Sequence, residues 1–189
     1  MSARSATRTR EPDAGVLARA RDGDEEAFAV LVRHYDPGLR ALAFRLLGSR
    51  ERMDDALQEA YVRAYRALPR FRGDAKLATW LYRIVYNACL DELERARRGG
   101  LVLVPDLPDE ADPAPEPGEA AARRDELARA LAGLPPEQRA AVLLVDAQGF
   151  TYRAAGRILG VPEGTVASRL NQARAVLRAA LEDEEEALG

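Results

Sequence analysis

Residues Phe71–Arg98, FRGDAKLATWLYRIVYNACLDELERARR, are the stretch from which the rest of this 189-residue chain can be read. Arg72-Gly73-Asp74 is a break. Gly73 loosens the backbone, and Asp74 is placed to cap a helix starting near Ala75 by accepting a hydrogen bond from its first free amides. Leu77, Leu81, Ile84, Val85 and Ala88 then recur at three- and four-residue steps, which defines an apolar face that needs a partner. Trp80, Arg83 and Asn87 fall on a side that this stripe does not use. A flat ring, a cation and an amide in a row suit nucleic acid: single-stranded bases stack on aromatic rings, and amides and guanidinium groups read base edges. Trp80, Tyr82 and Tyr86 equally suit a helical core in which each polar tip finds one partner.

Outward from this stretch, alanine, arginine and leucine dominate and strand-forming residues are sparse, so an all-α fold of two small helical domains is expected. The net charge of -3 argues against a nucleic-acid partner, but its distribution reverses that. Residues 1–97 carry 18 basic and 15 acidic side chains, 98–122 carry 1 and 6, 123–181 carry 9 and 5, and 182–189 carry 0 and 5. Both expected folded parts are therefore basic, and the acid sits in a linker and a tail. Cys89 is the single cysteine and His34 the single histidine, which excludes an intramolecular disulfide and a Cys/His zinc cluster. No metal or other cofactor is expected. No long apolar run or leader is visible, so membrane insertion and secretion are not expected and the chain reads as cytoplasmic. No catalytic residues stand out: one histidine without a nucleophile motif and no phosphate-cradling loop give an enzyme nothing to work with.

In chain order, residues 1–14 form a basic arm expected to be disordered. A first domain spans 15–98. It opens with a short helix from Val16 to Arg21, then a longer one capped by Asp24, with Ala27, Phe28, Leu31, Val32 and Tyr35 inward and a kink or interruption at Pro37-Gly38. Asp54 or Asp55 opens the next helix, with Leu57, Ala60, Tyr61, Ala64, Tyr65 and Leu68 on one face until Pro69 stops it. Its other face, Asp55, Gln58, Glu59, Val62, Arg63 and Arg66, has no core to serve and reads by default as solvated. Residues 99–122, with five prolines after Val104, form an extended acidic linker. A second domain spans 123–181, and an acidic tail, a fraying helix end, spans 182–189.

In the second domain Leu127, Ala130, Leu131 and Leu134 make a helix, and another runs from Pro136-Glu137 toward Gly149. Thr151 then caps a helix through Leu159, Gly160-Val161-Pro162 makes a turn, and a further helix carries Val166, Leu170, Ala173, Val176 and Leu177 inward. Two helices joined by a short glycine turn are a helix-turn-helix signature whose second helix can enter the major groove. Thr165, Ser168, Arg169, Asn171 and Gln172 face outward near its start. Asn and Gln pair with adenine edges, while Arg169, Arg174 and Arg178 can hold phosphates.

A basic helical domain with an aromatic surface, an acidic linker and a helix-turn-helix domain, in that order, resembles a bacterial sigma factor of the extracytoplasmic-function group. DDALQEAYVRAYRALPRF is similar to the family's polymerase-binding helix, FRGDAKLATWLYRI to the segment that melts and reads the minus-ten element, and LPPEQRAAVLLVDAQGFTYRAAGRILGVPEGTVASRLNQAR to the minus-thirty-five reader. The resemblance implies that Asp55, Gln58, Glu59 and Arg63 meet core RNA polymerase. It implies that Phe71 and the loop Arg72, Gly73, Asp74, Ala75 and Lys76 form a pocket for a base flipped from the non-template strand, with Trp80, Arg83 and Asn87 beside it. It also implies that Thr165, Ser168, Arg169, Asn171, Gln172 and Arg174 read the upstream element. Core polymerase, promoter DNA and an anti-sigma protein are the implied partners. Leu77 and Ala78 stand where relatives often carry an aromatic, Ala167 where many carry a cation, and Gly156 where alanine is usual, at about 1 kcal/mol in helix propensity.

Overall fold

The structure, a computed structural model, describes residues 12–99 and 118–187, with side chains over 12–99 and 125–180. Helices are the only regular elements among the described residues. They are α1 (Ala14–Arg21), α2 (Glu25–Leu47), α3 (Arg50–Ala67), a 3-10 turn (Leu68–Arg70), α4 (Leu77–Arg98), α5 (Gly118–Ala132), α6 (Pro136–Val142), a π turn (Leu143–Ala147), α7 (Tyr152–Leu159) and α8 (Glu163–Ala187). The first four helices pack around Leu31, Leu39, Leu42, Leu57, Leu68 and Val85, all at most 2% exposed.

Caps set most of the boundaries. Asp13 accepts from Gly15 N at 2.9 Å and Asp24 from Ala27 N at 3.0 Å. The Ala27 amide and the Arg19 guanidinium together hold the Asp24 carboxyl below its usual range. Thr151 caps α7 through Ala154 N at 3.2 Å, and Gly48 and Gly160 end α2 and α7 at φ of 66° and 69°.

Several boundaries differ from the sequence expectation. α1 begins at Ala14 rather than Val16, because Asp13 closes its first turn. α2 runs unbroken through Pro37-Gly38. Leu39, Leu42, Ala43, Leu46 and Leu47 beyond the proline are all buried, and that burial outweighs the roughly 3 kcal/mol a mid-helix proline costs. α3 starts a turn before the aspartates, at Arg50, because Ser49 Oγ accepts from Arg52 N at 3.5 Å. α4 starts at Leu77, so Asp74 is not its cap; Lys76 takes that position, with no side-chain hydrogen bond to the helix's first amides. The loop needs its extra residues because Phe71 and Leu77 are both anchored in the core, and Gly73 turns the chain between them at φ 80°. α5 starts inside the stretch expected as linker, since GEAAAR already favours helix. The arm expected over 1–14 and the linker expected over 99–122 otherwise lie largely outside the described residues.

The second domain buries Leu131, Leu134, Val142, Leu170, Ala173 and Leu177. Leu127 and Val176, expected inward, are 40% and 50% exposed, because this small core is already filled by the residues one helical step away. α8 continues through Ala187, so the acidic tail extends the helix. The π turn, in which Gln148 N donates to Leu143 O at 3.0 Å, widens the end of the helix that began at Pro136. The two domains touch: α4 packs on α7, α2 packs on α5 and α6, and Leu144, Ile158 and Leu159 share one apolar cluster with Leu81 and Val85.

Candidate polymerase and promoter interfaces

On α3 the apolar stripe turns Met53, Ala56, Leu57, Ala60 and Ala64 inward, which leaves Asp55 and Gln58 exposed on the opposite side together with Val62, 45% exposed. Glu59 and Arg63 are engaged within the domain. Glu59 accepts from Arg63 at 2.5 Å and from Arg95 of α4 at 2.6 Å, and Arg63 also reaches Asp91 at 2.8 Å. Arg95 first and Arg63 second hold the Glu59 carboxyl below its usual range. The four residues therefore share one face, but two of them fasten α3 to α4.

At the head of α4, Phe71 is 9% exposed and its ring lies 5.2 Å from that of Trp80, tilted by 47°. Arg72, Gly73, Asp74 and Lys76 are exposed around it, and Ala75 is half-buried. Trp80 is half-buried, while Arg83 and Asn87 are exposed along the same helix. A buried ring with a second ring beside it and a cation and an amide further along can hold an unstacked base and the strand that follows it. Tyr82 and Tyr86 belong to a different face: they are 5% and 3% exposed and point toward the second domain.

In the helix-turn-helix, Ser168, Asn171 and Gln172 are exposed and Thr165 and Arg169 half-buried. Gln172 accepts from Gln138 at 3.1 Å, and Arg174 forms a two-armed pair with Asp146 at 2.6 and 3.1 Å, which raises its hold on the proton. The turn is tight at Gly156, where a Cβ would stand 2.7 Å from Val161 O, so the glycine that lowers helix propensity is required by packing.

The contacts that join the domains were not visible in the sequence. Tyr82 donates to Gln148 Oε1 at 2.8 Å, and its ring meets Phe150 edge-on at 4.8 Å. Burial pushes the Tyr82 phenol up. A Cβ at Gly38 would lie 2.0 Å from the Tyr82 hydroxyl oxygen, so only glycine leaves room for this contact. Arg139, 8% exposed, donates to Arg45 O at 3.2 Å and Leu46 O at 3.4 Å in α2, and to Leu134 O at 2.9 Å and Ala132 O in its own domain. Its guanidinium answers the open, partly negative carbonyls at the ends of α2 and α5 together. Arg157 donates to Asp74 O at 3.2 Å, tying α7 to the loop beside Phe71. One signal was available: Tyr82 and Tyr86 lie off the stripe that serves the first domain, so α4 needs a second apolar neighbour.

Among the described residues no helix is long and apolar enough to cross a membrane, and no group of His, Cys, Asp and Glu is placed to hold a metal ion. The sigma-70 region 2 family model matches residues 31–99, and the sigma-70 region 4 model matches residues 124–177. The ECF RNA polymerase sigma factor SigM of Mycobacterium tuberculosis is 44% identical over 165 residues, covering 87% of this chain and 82% of its own. The RNA polymerase sigma-H factor of Pseudomonas aeruginosa is 34% identical, covering 92% and 96%. Among solved structures, the sigma factor RpoE in complex with the anti-sigma factor NepR from Bartonella quintana superposes with a TM-score of 0.70 at 26% identity, covering 86% of this chain and 98% of that one. CnrH in complex with the cytosolic domain of CnrY gives a TM-score of 0.67 at 27% identity, covering 89% and 96%. Region 2 followed by region 4 defines the sigma-70 class of transcription initiation factor. Within it, the chain belongs to the ECF RNA polymerase sigma factors.

Proposed function

We propose that the chain binds core RNA polymerase through the α3 face around Asp55, Gln58, Glu59 and Arg63, and directs it to two promoter elements. Phe71, the loop Arg72 to Lys76, Trp80, Arg83 and Asn87 hold bases of the non-template strand at the minus-ten element and so open it. Thr165, Ser168, Arg169, Asn171, Gln172 and Arg174 lie against the minus-thirty-five duplex. The observation that carries this reading is the row formed by buried Phe71, half-buried Trp80 and exposed Arg83 and Asn87, in a chain that also bears a helix-turn-helix. The chain acts in the cytoplasm and carries no chemistry of its own; polymerase supplies the catalysis.

The contact between Tyr82 and Gln148 gives this reading a consequence. The two elements are centred about 25 base pairs apart, roughly 85 Å at 3.4 Å per pair. Domains in hydrogen-bond contact cannot reach both. Core polymerase therefore separates them, and each weak DNA contact then gains effective concentration from the other on the polymerase scaffold. An anti-sigma protein that favours the closed pair would hold the factor inactive, in keeping with the relatives solved in complex with CnrY and NepR.

The test is co-elution of the purified chain with bacterial core polymerase, followed by transcription of a genomic library. Start sites that depend on the chain are the expected result. Absence of a complex, together with tight duplex binding by the chain alone, would make it a free-standing helix-turn-helix regulator instead. Asp55→Lys is the cleanest variant, since Asp55 is exposed while Glu59 is tied to α4: it should abolish co-elution and leave the circular dichroism spectrum unchanged.

A further inference from the structure

The loop beside Phe71 is only one side of a cavity. A half-open space of about 300 Å³ is lined by Pro12, Leu17 and Tyr35 of the first two helices and their lead-in, and by Phe71, Gly73, Ala75, Lys76 and Leu77 of the loop. Pro12 and Leu17 come from the segment just before and inside α1, upstream of the part of the chain that matches the region 2 family model, which begins at residue 31. This wall is fixed. Asp13 caps α1, Ala20 is 2% exposed in the shared core, the Arg19–Asp24 pair closes the turn that follows, and Tyr65 of α3 donates to Gly23 O at 3.3 Å. α1 packs along α2 and against the 3-10 turn that leads directly into Phe71. The volume is at the small end of the roughly 300–1,000 Å³ of ligand sites, room for one base ring rather than a stacked pair.

We propose that α1 supplies the second wall of the base pocket, so that Pro12 and Leu17 close on a flipped non-template base opposite Phe71 and take part in selecting which base is held. The inference rests on the promoter-opening reading above and adds selecting residues outside the recognised loop. Neither side chain carries a hydrogen-bond donor or acceptor. The wall therefore selects by shape, and it penalises any base that turns an exocyclic amino group toward it, because that group would lose water without gaining a partner. Discrimination by an apolar wall is moderate, on the order of 10- to 200-fold.

The experiment uses holoenzyme assembled from core polymerase and the full chain, with a promoter panel in which each non-template position of the minus-ten element carries in turn each of the four bases or an abasic site. Open-complex lifetime is the readout. Wild type should show one position where base identity matters strongly. Leu17→Ala and Pro12→Ala should each shrink the best-to-worst ratio at that position roughly tenfold and leave the ratios at other positions, and binding to core, unchanged. Leu17 also packs on the core; Pro12→Ala, ahead of the helix, keeps the test valid if Leu17→Ala loses helix content. An unchanged ratio, or equal loss at every position, overturns the proposal and leaves the loop as the whole pocket. If wild type is indifferent to every non-template base, the promoter-opening reading fails first and the proposal with it.

Discussion

Gly38→Ala should separate the two domains without harming either. In an exposed helix interior this change favours folding by about 1 kcal/mol. Here the new Cβ would stand 2.0 Å from the Tyr82 hydroxyl oxygen and 2.8 Å from Gln148 Oε1, closer than atoms can approach, and a tight 3.3 Å from Tyr82 Cζ. Tyr82 is 5% exposed, so its ring cannot swing aside within the closed form. Relief must come from the domain contact. The hydrogen bond to Gln148 contributes about 0.5–1.5 kcal/mol, and the edge-on pair with Phe150 contributes about 0.5–1.5 kcal/mol beyond burial. Losing both weakens docking by about 1–3 kcal/mol, roughly 5- to 150-fold in the closed-to-open ratio. Energy transfer between dyes on Glu51→Cys and Arg178→Cys, both exposed positions, should fall in Gly38→Ala while helix content and the unfolding midpoint of the first domain hold or rise. Adding Tyr82→Phe removes the atom at 2.0 Å and should recover part of the transfer. Unchanged transfer in Gly38→Ala would refute the reasoning, and so would a loss of transfer accompanied by a loss of helix.

Arg139→Met removes a cation that answers four carbonyls, and hydrogen bonds to a charged group count for about 1.5–3 kcal/mol each before non-additivity, so a loss of 2–5 kcal/mol in denaturant unfolding is expected, with the two domains melting separately. Burial, with Glu92 adding to it, pushes the Cys89 thiol up to about 12, so it should resist a thiol reagent at neutral pH in the native chain and react once denaturant is added. Glu59→Gln tests the ion network. Its folded carboxyl titrates below the ordinary 4.5, so its contribution is present above that value and disappears as pH falls through the depressed one. The side chain is 36% exposed, so the variant should lose less than about 1 kcal/mol at neutral pH and match wild type in acid. For residues 118–187 expressed alone, Arg169 and Arg178 are the recognition-helix cations without an ion pair among the described residues, so the slope of log affinity against log salt should be near -2, at about 0.9 per phosphate, and Arg174→Ala should barely change it.

Which parts were readable followed from where each physical signal lives. The helical stripe of α4, the Asp24 and Thr151 caps and the glycine turn at 160 are local patterns, and each appears as expected. The start of α4 was misread because Asp74 looks like a cap in sequence. The distance from anchored Phe71 to anchored Leu77 sets the boundary instead, and that is a tertiary quantity. The interruption that the sequence allows at Pro37 is absent for the same reason: local propensity omits the burial of the helix beyond it. Among the residues expected at a site, Asp55, Gln58, Arg83, Asn87, Ser168 and Asn171 are exposed, but the partners of others are not legible in the sequence. Nothing local to Arg174 or Glu59 announces Asp146 or Arg95, which lie 28 and 36 residues away.

Those distant partners bear on how labour is divided between this factor and polymerase. On the recognition helix, Arg174 is neutralised by Asp146, Gln172 is held by Gln138, and position 167 is alanine. If α8 reads the upstream element as proposed, that contact is left with few cations to hold it on duplex DNA without help. The π turn that supplies Asp146 is capped by Gln148, two residues on, which makes the contact with Tyr82. One widened turn and its cap thus both occupy a recognition-helix cation and fasten the second domain to the first. A factor built this way has little reason to linger on DNA alone, because the elements cannot be reached together and the upstream one is weakly gripped. Separation of the domains on core polymerase removes the first obstacle, and tethering at high effective concentration offsets the second. On the proposed reading, specificity then resides in the complex, in the base pocket at the downstream element and the polar face of α8 at the upstream one, rather than in the free chain.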